Sequence, residues 1–157
     1  MIDLRTATAK DAEALTDLHL DVWDDAYSGL MPQSVLDQRR ADRAAAVERR
    51  RAWLTADPDV WLAVDDGRLV GFANAGPARD DDPPAQLELK ALYVRASHYS
   101  TGLGRRLLGQ VLGDRPAYLW VLAGNVRAVR FYERAGFSFD GAGFDEPEGR
   151  HLRMVRT

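Results

Sequence analysis

The chain has 157 residues, 46% of them hydrophobic and 29% charged, with a formal net charge of −3, which fits one globular domain with a single sizeable core. It contains no cysteine, so disulfides, thiolate metal sites and a cysteine nucleophile are excluded. No apolar stretch approaches bilayer length and the N-terminus lacks a signal-peptide pattern, so the expectation is a cytoplasmic protein with no membrane partner.

In chain order, "IDLRTA" alternates apolar and polar residues and predicts a half-buried first strand. Thr8 or Asp11 can cap the helix that follows, whose Ala12, Leu15, Leu18 and Val22 recur at spacings of three and four. "GLMP" at 29–32 interrupts this pattern, and Pro32 restarts a second helix carrying Val35, Leu36, Ala44, Val47 and Leu54, which "ADPD" at 56–59 ends. Arg39, Arg40, Arg43, Arg49, Arg50 and Arg51 crowd this segment; interleaved with alanines and Glu48, they read as a solvated helix face rather than a phosphate-tracking surface.

"VWLAV" and "RLVGFANA", joined by Asp65-Asp66-Gly67, form the clearest hairpin in the chain. "GPARDDDPP" reads as a solvated loop rather than a metal chelate. Then follow a strand in "QLELKALYV", a helix in "GLGRRLLGQVL", a strand in "AYLWVLA" and a helix in "NVRAVRFYERA" that Gly136 stops. "FSFD" and "HLRMVR" finish as two strands around a glycine-rich loop. The order is that of an α/β chain whose sheet mixes antiparallel hairpins with strand-helix-strand crossovers.

The turn at Gly102-Leu103-Gly104, between a strand and a helix, exposes several backbone N–H groups at the positive end of a helix dipole, a place that binds phosphate. Arg105 and Arg106 stand in the first helical turn, where cations are disfavoured unless an anion arrives. The dinucleotide fingerprint fails at Leu107, and the Gly-Lys-Ser/Thr of a P-loop is absent. None of the three histidines belongs to a metal-ligand set.

"NVRAVRFYERAGF", with Asn125, Ala128, Phe131, Tyr132, Gly136 and Phe137, together with "LYV" and "YSTGLG", resembles the GNAT superfamily of N-acetyltransferases. The departure is Tyr99, which stands where the family's glycine motif has Gln or Arg. The resemblance implies a mixed, mostly antiparallel central sheet flanked by helices in one domain, with two splayed parallel strands forming an acyl-CoA cleft. Acetyl-CoA is the implied cosubstrate, with no metal. Leu92, Tyr93 and Val94 are expected beside its thioester and pantetheine, Ser100, Thr101, Gly102, Leu103, Gly104 and Arg105 around its diphosphate, and Asn125 on the pantetheine while also capping the last helix.

Two residues are implied for the chemistry. Tyr132 is expected to hydrogen-bond the sulfur, since full proton transfer from a phenol near 10 to a thiolate near 8.5 is uphill by roughly 2 kcal/mol. Glu88, fourteen positions before Gly102, is the candidate base; strict alternation would put Glu88, Lys90 and Leu92 on one face, and pairing with Lys90 would leave Glu88 merely structural. Trp23, Asp24, Tyr27 and Met31 are candidates for the acceptor site, where aromatics and an acid suit a cation, with core packing of Trp23 the competing role. The implied activity is acetyl transfer to a primary amine of a small molecule or peptide by direct attack. A non-catalytic acyl-CoA-sensing module and an RNA- or ribosome-associated modifier are the alternatives, and relatives of this kind leave room for a homodimer.

Overall fold

A computed structural model describes residues 1–56 and 58–157. Seven strands and five helices alternate as β1 (Ile2–Thr6), α1 (Ala12–Tyr27), α2 (Gln33–Ala41), α3 (Arg43–Thr55), β2 (Val60–Asp65), β3 (Arg68–Pro77), β4 (Leu87–Val94), α4 (Leu103–Leu112), β5 (Ala117–Leu122), α5 (Val126–Arg134), β6 (Ser138–Glu146) and β7 (Gly149–Arg156). They build one sheet of order β1-β2-β3-β4-β5-β7-β6, antiparallel throughout except where β4 meets β5. Helices α4 and α5 cover one face and α1 to α3 the other, each over its own apolar layer. Among the described residues no helix is long and apolar enough to cross a membrane.

The predicted stripe of α1 is fully realised: Ala12, Leu15, Leu18 and Val22 are all buried. The β2–β3 hairpin turns through Asp66 and Gly67, both with positive φ, the twist-matched geometry for a two-residue connection. Three expectations need correction. The single long second helix is two helices, broken at Asp42, whose backbone (φ −88°, ψ 12°) closes α2 while its carboxylate accepts from Gln38. Of the "ADPD" expected to end it, Ala56 closes α3, and Asp57 lies outside the described residues. The glycine-rich loop before the last strand is largely strand: β6 runs to Glu146, and a register shift between Phe139 and Gly143 absorbs the glycines.

The third correction decides which β4 side chains reach which face. Asn74 pairs with Ala91 but Ala75 pairs with Leu89, so Lys90 is an extra residue, a β-bulge. Alternation therefore slips by one. Leu87, Leu89, Leu92 and Val94 pack on the α4–α5 side, while Ala91 and Tyr93 pack on the α1 side. Leu92 does not share a face with Glu88.

Candidate active site

Strands β4 and β5 register at one pair, Glu88 with Tyr118, and then diverge. The gap opens as a cleft of about 880 Å³, lined by the ends of both strands, the glycine turn, the start of α5 and one side of α1. The Arg95 N–H donates to Val70 on β3 at 2.8 Å, so by alternation Tyr93 also bonds toward β3, and the N–H groups of Leu92 and Val94 point into the gap. A ligand with an amide-like backbone can add to this edge as a strand does.

At the far end of the cleft, Ser100 (φ 61°) and Gly102 (φ 84°) adopt left-handed backbone and wrap the chain into the first turn of α4. The Leu103 N–H donates to Thr101 Oγ1 at 3.4 Å, whereas the amides of Thr101, Gly102, Gly104 and Arg105 have no backbone acceptor among the described residues. Free donors and the helix dipole thus converge on one spot. The two glycines serve different ends. A Cβ at Gly102 would meet nothing within 4 Å, so Gly102 is there for its φ; a Cβ at Gly104 would come within 3.2 Å of the Phe131 ring, so Gly104 lets α4 and α5 approach. The turn is fixed from α1, where Asp25 accepts from the Ala96 N–H at 3.0 Å and Asp21 holds Arg95 at 2.7 Å.

All the residues expected to contact the cosubstrate line this cleft: Leu92, Tyr93, Val94, Ser100, Thr101, Gly102, Leu103, Gly104, Arg105 and Asn125. The Asn125 Oδ1 accepts from the Ala128 N–H at 3.2 Å, capping α5. Tyr132 also lines the cleft, packed between Phe131 and Phe137, and its hydroxyl has no hydrogen-bond partner among the described residues. Burial, with the Tyr93 phenol nearby, pushes its pKa well above the ordinary tyrosine value, so it remains a protonated donor.

One residue escaped the sequence reading. The Arg127 guanidinium lies 3.2 Å from the centroid of the Tyr99 ring, and Arg127 lines the cleft. The position that departs from the family motif thus carries a cation at second hand. The clue was available: like Arg105, Arg127 is a cation in the first turn of a helix, where the dipole disfavours it.

Glu88 is buried and its oxygens are occupied. Oε1 accepts from the Arg79 N–H and Nε, both at 3.1 Å, and from the Tyr118 hydroxyl at 3.0 Å; Oε2 accepts from Arg79 Nη2 at 2.7 Å. Its partner is Arg79 of the preceding loop and not Lys90, and it is not among the residues lining the cleft. That loop is itself anchored, since Asp80 accepts from Trp120 and Arg153.

Of the candidate acceptor residues, Tyr27 alone lines the cleft, its hydroxyl 3.0 Å from that of Tyr93. Asp24 accepts from Arg40 Nε at 2.8 Å, Trp23 packs beneath Arg39, and Met31 is buried beside Tyr27 and Leu36. His98 lines the cleft with Nε2 2.7 Å from Asp65 and Nδ1 2.8 Å from Ser97. His151 stacks on Phe144, and His19 is enclosed by Trp23, Phe72 and Tyr93.

Comparison with known proteins bears on this arrangement. Residues 15–137 match the acetyltransferase (GNAT) family. A probable N-acetyltransferase of Mycobacterium tuberculosis is 28% identical over 152 residues, covering 91% of this chain and 83% of that protein. The spermine/spermidine N(1)-acetyltransferase of Bacillus subtilis is 30% identical over 86 residues, which cover 48% of this chain and 57% of that one. Among solved structures, the PaiA N-acetyltransferase of Thermoplasma acidophilum in complex with coenzyme A superposes with a TM-score of 0.73 at 20% identity, over 100% of this chain and 99% of that one. YncA of Salmonella typhimurium with acetyl-CoA gives 0.68 at 20% identity, over 99% and 92%. A mixed sheet with one splayed parallel pair, a glycine turn at its mouth and a match spanning most of the sequence agree: the chain is an acyltransferase belonging to the acetyltransferase (GNAT) family.

Proposed function

We propose that the protein transfers the acetyl group of acetyl-CoA to a primary amine of a small molecule or peptide by direct attack in a ternary complex. The observation that carries this reading is the cleft between β4 and β5, with the Leu92 and Val94 amides along one wall and the free amides of the 101–105 turn at its mouth. The pantetheine arm would lie along β4, Asn125 would contact it with the amide nitrogen its capping bond leaves free, and the turn would receive the diphosphate. Arg105 and Arg127 would supply the opposing charge, Arg127 taking the part that Tyr99 cannot.

In the chemical step the neutral amine nitrogen attacks the thioester carbonyl carbon, a C–N bond forms, the C–S bond breaks, and the departing thiolate takes up the proton that the nitrogen loses on becoming an amide. Tyr132 would donate its hydroxyl hydrogen bond to that sulfur, and its raised pKa makes hydrogen bonding, rather than proton loss, its contribution. The amine must shed a proton first; for an alkyl amine near 10.4 this costs about 4.6 kcal/mol at pH 7. Glu88 would serve as base only by exchanging a donor it holds in this geometry. Clamped by Arg79 and Tyr118, it is better suited to fixing the one point where β4 and β5 meet.

The test is thiol release from acetyl-CoA across a panel of amines. Amine-dependent release is expected, with Tyr132→Phe lowering kcat about tenfold, the worth of one hydrogen bond of ~1.4 kcal/mol realised at the sulfur. A structural Glu88 predicts that Glu88→Gln lowers stability while the kcat/KM-against-pH profile keeps its shape. Loss of a limb of that profile would make Glu88 the base, and release independent of any amine would refute the transferase reading.

A further inference from the structure

Of the six arginines of α2 and α3, three are ion-paired and three line a recess. Arg40 pairs with Asp24 and Asp21, Arg43 with Asp17, and Arg51 with Glu48, binding these helices to α1 or to themselves. Arg39, Arg49 and Arg50 line a recess of about 810 Å³ formed mainly by α1–α3 with β3 and β4, and reached also by Val111 of α4 and by Arg115. The Arg39 guanidinium lies 3.4 Å from the Trp23 ring centroid, and Arg50 Nη2 stands 2.7 Å from His19 Nδ1. Neither meets a carboxylate at ion-pair distance among the described residues. Lys90, the bulged residue of β4, joins them: its Nζ lies against Gly76 and has no acceptor among the described residues. The carboxylates of the recess, Asp42 and Asp59, already accept from Gln38 and Trp61.

The field in this recess is therefore positive, and for Arg39 it is only partly offset by Asp24 and Glu148 beyond ion-pair distance. Burial lowers the Arg39 pKa and, with Arg39 close by, takes Arg50 down to about 10; burial and the two guanidinium groups hold His19 at about 2. Partly buried cations with no carboxylate at ion-pair distance are costly in an unliganded protein, and an anion that enters reduces that cost. Lys90 and Ala91 line both this recess and the cosubstrate cleft, so the bulge borders both spaces. A polyamine would bring more positive charge to the same place.

We infer that the recess is the acceptor site and that the acceptor amine carries an anionic group, a phosphate or a carboxylate, held by Arg39, Arg50 and Lys90 with the amine directed past the bulge toward the thioester. This deepens the acetyltransferase reading and rests on it. This differs from the sequence expectation of a cation-binding acceptor site at Trp23, Asp24, Tyr27 and Met31; here Asp24 is held by Arg40 and Trp23 lies under Arg39, while Tyr27 lines the cosubstrate cleft.

The experiment is calorimetric titration of the protein saturated with coenzyme A, using glucosamine 6-phosphate against glucosamine, phenylalanine against phenylalaninamide, and spermidine. At least one anionic probe is expected to bind ten times more tightly than its uncharged counterpart, with spermidine weakest; the pair that discriminates tells phosphate from carboxylate. Arg39→Gln and Arg50→Gln, made separately at residues that line the recess but not the cosubstrate cleft, should each cut that preference severalfold while leaving coenzyme A affinity unchanged. The inference is overturned if spermidine or the uncharged probes bind as well, if neither anionic probe binds, or if the preference survives both substitutions. Failure to saturate with coenzyme A in the first step would count against the acetyltransferase reading instead.

Discussion

Lowering the pH from 7 to 5 is expected to destabilise the protein through His19. Its ring is packed edge-on to Trp23 at 5.8 Å and to Phe72 at 5.2 Å, with Tyr93 5.5 Å away, and Arg50 of α3 donates to its Nδ1 while Arg39 of α2 adds positive potential. Burial first, and then those two arginines, lower its pKa from 6.5 to about 2. A histidine with a depressed folded value stays neutral in the native state while the unfolded chain takes up a proton below about 6.5. Stability is thus intact above that value and declines as the pH falls toward 2, by about 1.36 kcal/mol per unit. Integrated between pH 7 and pH 5, one such group removes about 1.9 kcal/mol, a sizeable part of a stability of roughly 5–15 kcal/mol. The assay is urea unfolding at both pH values for the native sequence and for His19→Gln, whose amide oxygen can still accept from Arg50 but cannot titrate. The native protein should lose about 1.9 kcal/mol more than the variant. Equal losses, or a His19 ring resonance that titrates near pH 6 in the folded protein, would refute the reasoning.

Other perturbations follow from the same geometry. Gly102→Ala forces a Cβ into left-handed backbone with open space around it, so strain alone acts: a cost of about 1–2 kcal/mol, read as a Tm lower by roughly 2–8 °C, with weaker coenzyme A binding as the turn relaxes. Arg127→Ala should weaken coenzyme A about five- to tenfold in calorimetry and flatten the salt dependence of binding, because the cation held over Tyr99 is lost; an unchanged affinity would remove Arg127 from the site.

Much of this was legible in the chain because the signals are local. The glycine turn was legible as a phosphate site from its two glycines and the helix they open, the other cleft residues were implied by the resemblance that short local motifs carry, and the structure gathers them into one cleft. The α1 stripe was legible for the same reason. The bulge at Lys90 was not, since "ELKALY" alternates acceptably by itself and the extra residue exists only relative to β3. Nor was the break at Asp42, where both flanking segments favour helix and a single backbone setting separates them. The partner of Glu88 came from a loop nine residues upstream rather than from the neighbouring Lys90, because a buried carboxylate is met by the donor that the tertiary structure brings to it. The arginine-rich segment looked uniform in sequence, and only the docking of α2 and α3 on α1 divides it into paired and unpaired cations.

The central claim is that exposed main-chain amides at residues 101–105 hold a diphosphate while β4 holds the arm behind it. Calorimetric titration with coenzyme A and, separately, with pantetheine measures this most directly. The account predicts saturable one-to-one binding of coenzyme A and a loss of at least a hundredfold, about 2.7 kcal/mol, when the nucleotide diphosphate is removed. Equal affinity for the two compounds, or no heat from coenzyme A with folded protein, would contradict it.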